Sequence, residues 1–403
     1  MLESLIYLER YRNEGTRTYS PHAQHNEAEE RYQPRATEKA FGLRAFAVPR
    51  EEVLVFLANP PSELENTYLP GDEALFCVHP QVLAHKPNDP HLIALLKQSR
   101  TKADILVSPS ASTRTLYVLD KFPHALKVHF PFRISRYERK MRCEVIEQAL
   151  AVSLELEQGL AAAPKDFAFM REVIGIVSKE IKERDERGEN WGYLVRDLHP
   201  WPLVAEKRRL VPGFALYGRD FFDYSKTPLL WELMGREEAT SFVVERIMLP
   251  IIRHWLWCYL RFGFIMEPHG QNVLLELDAE GAITRIVHRD LSVGIDMRRR
   301  RDLVLDSSHL NTYNRMEDGI FLSIAYDKFM GNHFFERLIA CCQERQPQLM
   351  AEDFRIPCRT LFAEQFADYS RYFPESVQYF SEKRDRYNKP FFLDTGKKPL
   401  WRP

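Results

Sequence analysis

Neither sign of charge is in excess in this chain of 403 residues, in which 56 Lys and Arg stand against 57 Asp and Glu. That balance removes the broad positive field with which a protein holds a polyanion, so no nucleic-acid partner is expected. The six cysteines, Cys77, Cys143, Cys258, Cys341, Cys342 and Cys358, form no CxxC pair and no zinc spacing, a usage that suits a reducing cytoplasm. Long apolar runs are also lacking. The greasiest stretch, 247–264, is interrupted by Pro250, Arg253, His254 and Arg261, which argues against a membrane span. The first fifteen residues carry charges through their apolar positions, unlike a signal peptide. Internal repeats, low-complexity tracts and the Gly-rich phosphate loop GxGxxG are all absent.

What the chain does have is 45% hydrophobic residues, enough over this length for a sizeable core in two lobes. Its most informative stretch runs from Gly263 to Gly294. Residues 273–277 and 283–287 are rich in aliphatic and β-branched side chains, and Asp278-Ala279-Glu280-Gly281 between them is turn chemistry, which predicts a β-hairpin. Folding about that turn brings Asn272 and Asp290 to one end, where Glu267 and His269 also fall. Carboxylate and amide oxygens suit a hard Mg²⁺ ion shared with phosphates, and an imidazole can donate to a phosphate. The plainer alternative is a hairpin whose polar ends face water.

His288-Arg289-Asp290-Leu291 imitates the catalytic loop of protein kinases, but the metal-binding Asn due five places after the Asp is Ile295 here. A second constellation lies upstream. Ser112-Thr113-Arg114-Thr115 opens a strand, and a turn at 121–124 returns the chain through 125–135. In the return strand Val128, Phe130, Phe132 and Ile134 point one way, and Lys127, His129, Arg133 and Ser135 the other. That alternation predicts one core face and one cationic face, with Pro131 marking an edge strand or a bulge. Arg139 continues from the strand end. Lys as a point charge and Arg as a two-pronged donor suit a triphosphate, although edge strands also carry Lys for their own protection.

The run Glu267-x-His269-Gly270-Gln271-Asn272, followed by Arg289-Asp290, resembles the ATP site of the NRPS-independent siderophore (NIS) synthetases, the IucA/IucC or aerobactin-synthetase-like family. Ser112-x-Arg114-Thr115, then Lys127, then Arg139, resembles that family's other ATP signature. His79-Pro80-Gln81 is similar to its HPWQ segment, and Tyr32-Gln33-Pro34-Arg35 to its YxPE segment. The resemblance implies an α+β fold, a hand-like cradle in which a mainly antiparallel fingers sheet packs against a largely helical palm with ATP between them. Residues 1–150 would form the fingers-like subdomain and 151–403 the palm-like one. It also implies a reaction: adenylation of a citrate-like polycarboxylate by ATP and Mg²⁺, then condensation with an amine or hydroxyl. Ser112, Arg114 and Thr115 would hold the phosphate tail, Lys127 and Arg139 would neutralise the α-phosphate, and His269 would donate to a phosphate oxygen. Glu267, Asn272 and Asp290 would carry Mg²⁺.

One segment departs from the family. Where it has EG-HPxHPxxKxR, this chain has Glu14-Gly15 followed by Thr16-Arg17-Thr18-Tyr19-Ser20, and the Lys and Arg fall on Ala23 and His25. His22, His25 or Arg17 would have to substitute. This keeps a second reading open, a degenerate nucleotide-binding or scaffold protein that completes a partner's site. A third, kinase-like phosphotransfer, would yield ADP rather than AMP. Family members are usually much longer, so the N-terminal thumb portion is expected to be reduced or missing. Apolar surface near Leu43 to Leu57 would then be covered in a homodimer or by a hetero-partner.

Elsewhere the spacing predicts helices over 1–12, 91–98, 140–160, 237–263 (bent at Pro250), 318–344 and 352–372. One more runs from an Asp166 cap to Ile181, ending in the charge run 182–187. Trp255, Trp257 and Tyr259 read as core. The run Arg298-Arg299-Arg300-Arg301 reads as a solvated face or, more sharply, as carboxylate recognition. The basic, aromatic tail from Lys383 to Pro403 has the composition to line a carboxylate pocket.

Overall fold

The computed structural model describes residues 2–13, 25–135, 137–179, 191–206, 208–384 and 390–403. Its first twelve strands are β1 (Phe41–Pro49), β2 (Val53–Leu57), β3 (Glu73–Val78), β4 (Arg100–Thr101), β5 (Ile105–Pro109), β6 (Thr115–Val118), β7 (His124–Val128), β8 (Phe130–Ile134), β9 (Tyr137–Arg139), β10 (Phe167–Phe169), β11 (Glu172–Ser178) and β12 (Gly192–Asp197). Eight more follow: β13 (Arg209–Pro212), β14 (Phe264–Ile265), β15 (Val273–Leu277), β16 (Ile283–His288), β17 (Gly294–Asp296), β18 (Arg315–Met316), β19 (Gln378–Arg384) and β20 (Pro390–Asp394).

Nine strands make one antiparallel sheet in the order β2-β11-β12-β7-β6-β5-β1-β3, with β4 also on β1. β1 and β2 are joined by only the short turn Arg50–Glu52, yet they stand six ladder steps apart in that order. A flat sheet would separate them by roughly 29 Å, about twice the reach of so short a linker. The sheet therefore curls back on itself. Leu43, Val48, Phe76, Val107, Leu116, Leu126, Ile174 and Tyr193 fill one core against it. On β11 and β12 the helix Cys143–Gly159 packs, and Gly175 is what admits it, since a Cβ there would lie 2.3 Å from the Ile146 side chain. The sheet draws on residues up to Asp197, past the boundary expected at 150.

The second lobe is built on helices. Ala239–Val243, a π-helical turn Val244–Met248 and Leu249–Phe262 run on continuously, so the irregularity expected at Pro250 falls in the turn just before it. Trp255 and Tyr259 are fully buried in this lobe's core, Trp257 partly. Against the helices lies a four-stranded sheet, β10-β16-β15-β13. The architecture is thus α+β, as expected, with ladders antiparallel except β10 on β16 and β17 on β18. Among the described residues no helix is long and apolar enough to cross a membrane.

Three expectations are corrected. The helix expected from Asp166 to Ile181 is instead β10 and β11. Every residue of β11 is buried, so its apolar side chains show no alternation and mimic helical spacing, while Val173, Ile174, Ile176 and Val177 are strand formers. The single return strand at 125–135 is two strands in different sheets. β7 sits in the middle of the large sheet between β12 and β6, while β8, with Pro131, pairs with β9 and bridges Asn26 through Ile134. His129 falls at the break, stacked on Trp191 at 4.5 Å and buried, so it is not part of a cationic face. Third, the arginine run is largely structural. Arg298 pairs with Asp296 at 2.8 Å, Arg299 donates to the Leu260 carbonyl at 2.9 Å, and buried Arg300 donates to the Phe262 carbonyl at 2.8 Å. These hold the C-terminal end of helix Leu249–Phe262. Only Arg301, paired with Glu317, is on a solvated face.

The bare apolar surface expected between 43 and 57 is mostly inside. Leu43, Ala45, Ala47, Val48 and Val53 are buried in the chain's own core, leaving Leu54 and Leu57 at 37% and 39% exposure. The charge run 182–187 and residues 16–24 lie outside the described residues. His25 is exposed and stands 3.3 Å from Glu27.

Candidate active site

The hairpin forms as its sequence predicts, with Val273 opposite His288 and the Arg289 amide donating to the Asn272 carbonyl at 3.0 Å. That register sets Asn272 beside Asp290. In the turn before it, the Asn272 amide donates to the His269 carbonyl, and the His269 amide to that of Glu267, both at 2.9 Å. Gly270 is required here, because a Cβ would lie 2.6 Å from the Tyr217 hydroxyl and 3.0 Å from the Phe214 nitrogen. Asp290 itself adopts φ +70°, as does Thr113 in the other motif at +69°. Left-handed backbone at non-glycine residues is costly and concentrates where a side chain must be aimed.

The two motifs meet in one ion pair: the Lys127 ammonium lies 2.6 Å from an Asp290 carboxylate oxygen. Lys127 is buried in the middle of the curled sheet, directly opposite Thr115 on β6 and Leu194 on β12. Burial lowers its pKa, opposed by Asp290. Burial works to raise Asp290, but Lys127 and then Arg196 outweigh it and hold the carboxyl well below the usual range. Glu267 behaves oppositely. Burial and the neighbouring Asp290 charge push it up to about 7, against the pull of Lys127 and Arg139. His269 is lowered to about 4 by burial, partly offset by Asp290. Its Nδ1 accepts from the Gln271 amide at 3.2 Å, so the neutral ring carries its proton on Nε2.

The other residues expected at the site have specific tasks. The Ser112 hydroxyl accepts from the Thr115 amide at 3.3 Å and bonds the Ser110 hydroxyl at 2.9 Å, closing the loop on itself. Arg114 donates to the Arg139 carbonyl at 3.1 Å, so it positions the segment that carries Arg139. Arg139 donates to the Ile134 carbonyl at 3.1 Å, and its charge reaches both Glu267 and His269 from across the cleft. Sequence reasoning thus named residues that the fold does gather. Glu267, Asn272 and Asp290 offer two carboxylates and an amide. Among the described residues no group of three or more His, Cys, Asp or Glu side chains could hold a metal by itself.

Five residues at the site were not foreseen. Glu9, on the N-terminal helix Leu2–Tyr11, is fully buried. One of its oxygens accepts from Arg289 at 2.6 Å and the other from the Ala111 amide at 3.0 Å. Arg289 in turn donates to the Gln271 carbonyl at 2.7 Å and to the Tyr117 hydroxyl at 3.0 Å. One buried carboxylate therefore ties the Ser112 loop to the His269 turn. Arg196 pairs with buried Glu172 at 3.0 Å beneath Lys127, and Tyr313 lies within electrostatic reach of Glu267. The sequence gives no spacing signal for these, since each partner comes from a distant element.

Burial of neutral histidines has a measurable consequence. His79, His129 and His333 are each lowered to about 3, in every case first by burial. Their folded pKa lies below the unfolded value of 6.5, so the unfolded chain binds more protons between those limits. The stability they contribute is present above pH 6.5 and is lost as pH falls, by up to about 1.4 kcal/mol per pH unit for each ring. Glu267, raised to about 7, acts with the opposite sign, but His269, lowered to about 4, adds to the three rings. The urea midpoint should therefore fall between pH 6.5 and 4.5, and a constant midpoint across that range would contradict the buried, neutral assignment.

Comparison with known proteins bears on the fold. The IucA / IucC family model matches residues 23–218, and that of the ferric iron reductase FhuF-like transporters matches 249–349. No curated protein sequence matches. Among solved structures, the petrobactin biosynthesis protein AsbB of Bacillus anthracis is 15% identical with a TM-score of 0.67, over 90% of this chain and 68% of that one. ATP-bound aerobactin synthetase IucA of Klebsiella pneumoniae is 15% identical, TM-score 0.66, over 85% and 65%. Aerobactin synthetase IucC of the same organism is 17% identical, TM-score 0.62, over 89% and 67%. Residues 23–218 are thus similar to the IucA / IucC family, and the fold over most of the chain is that of the synthetases AsbB, IucA and IucC.

Proposed function

We propose that this chain is an ATP-dependent synthetase that adenylates one carboxyl of a citrate-like polycarboxylate and condenses it with an amine or hydroxyl. The observation that carries this reading is the Lys127–Asp290 pair, which joins the family's two ATP motifs within reach of Arg139, Glu267 and His269. The ATP bound to the similar IucA structure supports the choice of nucleotide. A carboxylate is a poor acyl donor because its leaving group would be oxide. Attack of its oxygen on the α-phosphorus of ATP forms a P–O bond and expels pyrophosphate. The amine or hydroxyl then attacks the acyl carbon, AMP leaves with the bonding electron pair, and the nucleophile loses a proton.

Charge repulsion dominates the first step, so fixed cations lower the barrier most. Lys127 and Arg139 face the α-phosphate in this reading, and neutral His269 donates from Nε2 to a phosphate oxygen. Glu267, Asn272 and Asp290 fit Mg²⁺, because two neighbouring carboxylates, one of them pushed up by burial and then by the other's charge, gain from a divalent cation between them. Mg²⁺ when bound supplies further neutralisation of the phosphates. The test is product analysis with ATP, a panel of acids and a panel of amines. Pyrophosphate and AMP are expected. ADP would indicate kinase-like transfer, and ATP binding with no product from any combination would favour the scaffold reading.

A further inference from the structure

Cations that the nucleotide site does not use gather beside His269 in the C-terminal part of the chain. A π-helical stretch of twelve residues, Ile324–Phe335, runs into the helix Glu336–Arg345. π-Helical geometry is rare beyond single turns and is found mostly at functional sites. In it residues five apart return to nearly the same face, and in the α-helix beyond it residues four apart do. Lys328, His333 and Arg337 therefore share a face, with Phe329 beside them.

That face meets the site. The Phe329 ring stands edge-on to His269 at 5.8 Å and tilted against His333 at 5.9 Å. The β19–β20 hairpin closes over it, with Tyr379 edge-on to His333 at 5.8 Å and Phe380 6.2 Å from Phe329. The Lys328 ammonium sits 5.2 Å from the centre of the Tyr379 ring. Burial first, and then the Lys397 charge just beyond β20, lower the Lys328 pKa.

Among the described residues these charges have no counter-ion. Among the described residues neither Lys328, Arg337 nor Lys397 makes an ion pair, and the buried Nδ1 of His333 has no hydrogen-bond partner. The adjacent acid, Asp327, is committed to Arg402 at 3.1 Å and to Ser323 at 2.7 Å. Like charges gathered at one place, with Lys328 half-buried against the Tyr379 ring, form a receptor for an anion. The cations near His269 are sorted into two sets. Lys127, Arg114 and Arg139 belong to the sheet lobe, and Lys328, Arg337 and Lys397, with the neutral His333 ring among them, to the helical lobe. Two sets favour two anions rather than one.

We propose that Lys328, His333, Arg337 and Lys397 receive the carboxylates of the acid substrate that are not adenylated. This rests on the synthetase reading above and assigns the acid to the helical lobe. A polycarboxylate that presents one carboxyl to the α-phosphate carries others that need partners, and this wall supplies them within one aromatic ring of His269. The basic tail is then part of the site through Lys397, while its end is structural, with Trp401 and Arg402 buried.

The experiment is direct binding by calorimetry, with citrate and tricarballylate as carboxylate probes, pyrophosphate as the phosphate probe, and Mg-ATP as control. Lys328→Gln and Arg337→Gln remove charge from half-buried and exposed positions, so folding is preserved. Each variant should weaken citrate or tricarballylate about tenfold or more, with ATP and pyrophosphate within about twofold of wild type. Unchanged polycarboxylate affinity in both variants overturns the proposal, as does an equal loss for pyrophosphate, which would make the wall a phosphate site. A wild type that binds Mg-ATP but neither polycarboxylate also overturns it while sparing the nucleotide reading.

Discussion

Lys127→Ala is expected to lower kcat by about two to three orders of magnitude, the scale of losing one pre-organised charged donor. The scale follows from where the ammonium is held. Its strand lies in the middle of the curled sheet, flanked by β6 and β12, so the stem is buried, and the Nζ end is held on Asp290 at 2.6 Å. A charge fixed in that way costs little to reorganise when negative charge develops on the α-phosphate, and it is worth more there than in water. It also has a resting partner, Asp290, so its ground-state pull on ATP is partly spent. The loss should therefore appear in kcat more than in KM. A raised KM for ATP with kcat untouched would show that Lys127 contributes ground-state binding only.

The location of that lysine shows what sequence can and cannot give. The hairpin, its turn and the gathering of Glu267, His269, Asn272 and Asp290 were readable, because each depends on residues close in the chain. Lys127 was readable as a site residue but not as a buried one. Alternation from 125 to 135 suggested an exposed edge, whereas tertiary context splits that stretch at His129 and puts β7 in the sheet's interior. The neighbours that surround Lys127 were invisible for the same reason. β11, which supplies Glu172, is buried on both faces and so loses the period-two signal that would have marked it as a strand. Glu9 meets Arg289 across 280 positions of chain, and no local pattern distinguishes it from a solvated helix charge. The curl of the sheet follows only from the strand order, which a single sequence does not carry.

Asp290→Ala should abolish Mg-ATP-dependent turnover, and the structure adds that it should also destabilise the fold. Lys127 is 5% exposed in its side chain, and the alanine variant leaves its ammonium without the carboxylate that offsets its burial. Breaking a buried pair from one side costs about 3–5 kcal/mol, and the 33% exposure of the Asp290 side chain places this case at the low end. Alanine at φ +70° adds strain that Asp tolerates better. Loss of activity in Asp290→Ala alone would thus be ambiguous. Asp290→Asn separates the effects, because Asn accepts the left-handed backbone and still offers Lys127 an oxygen, yet lacks the charge that a divalent cation needs. Asn272→Ala is the companion. The Asn272 side chain makes no hydrogen bond among the described residues, so its removal should leave the urea midpoint near wild type. The expected pattern is a kcat reduced by about a thousandfold or more in Asp290→Asn, a smaller loss in Asn272→Ala, and a higher Mg²⁺ requirement in both. Turnover and Mg²⁺ dependence unchanged in both variants, each with a wild-type urea midpoint, would remove these residues from the metal site and leave Asp290 as the counter-ion of Lys127 alone.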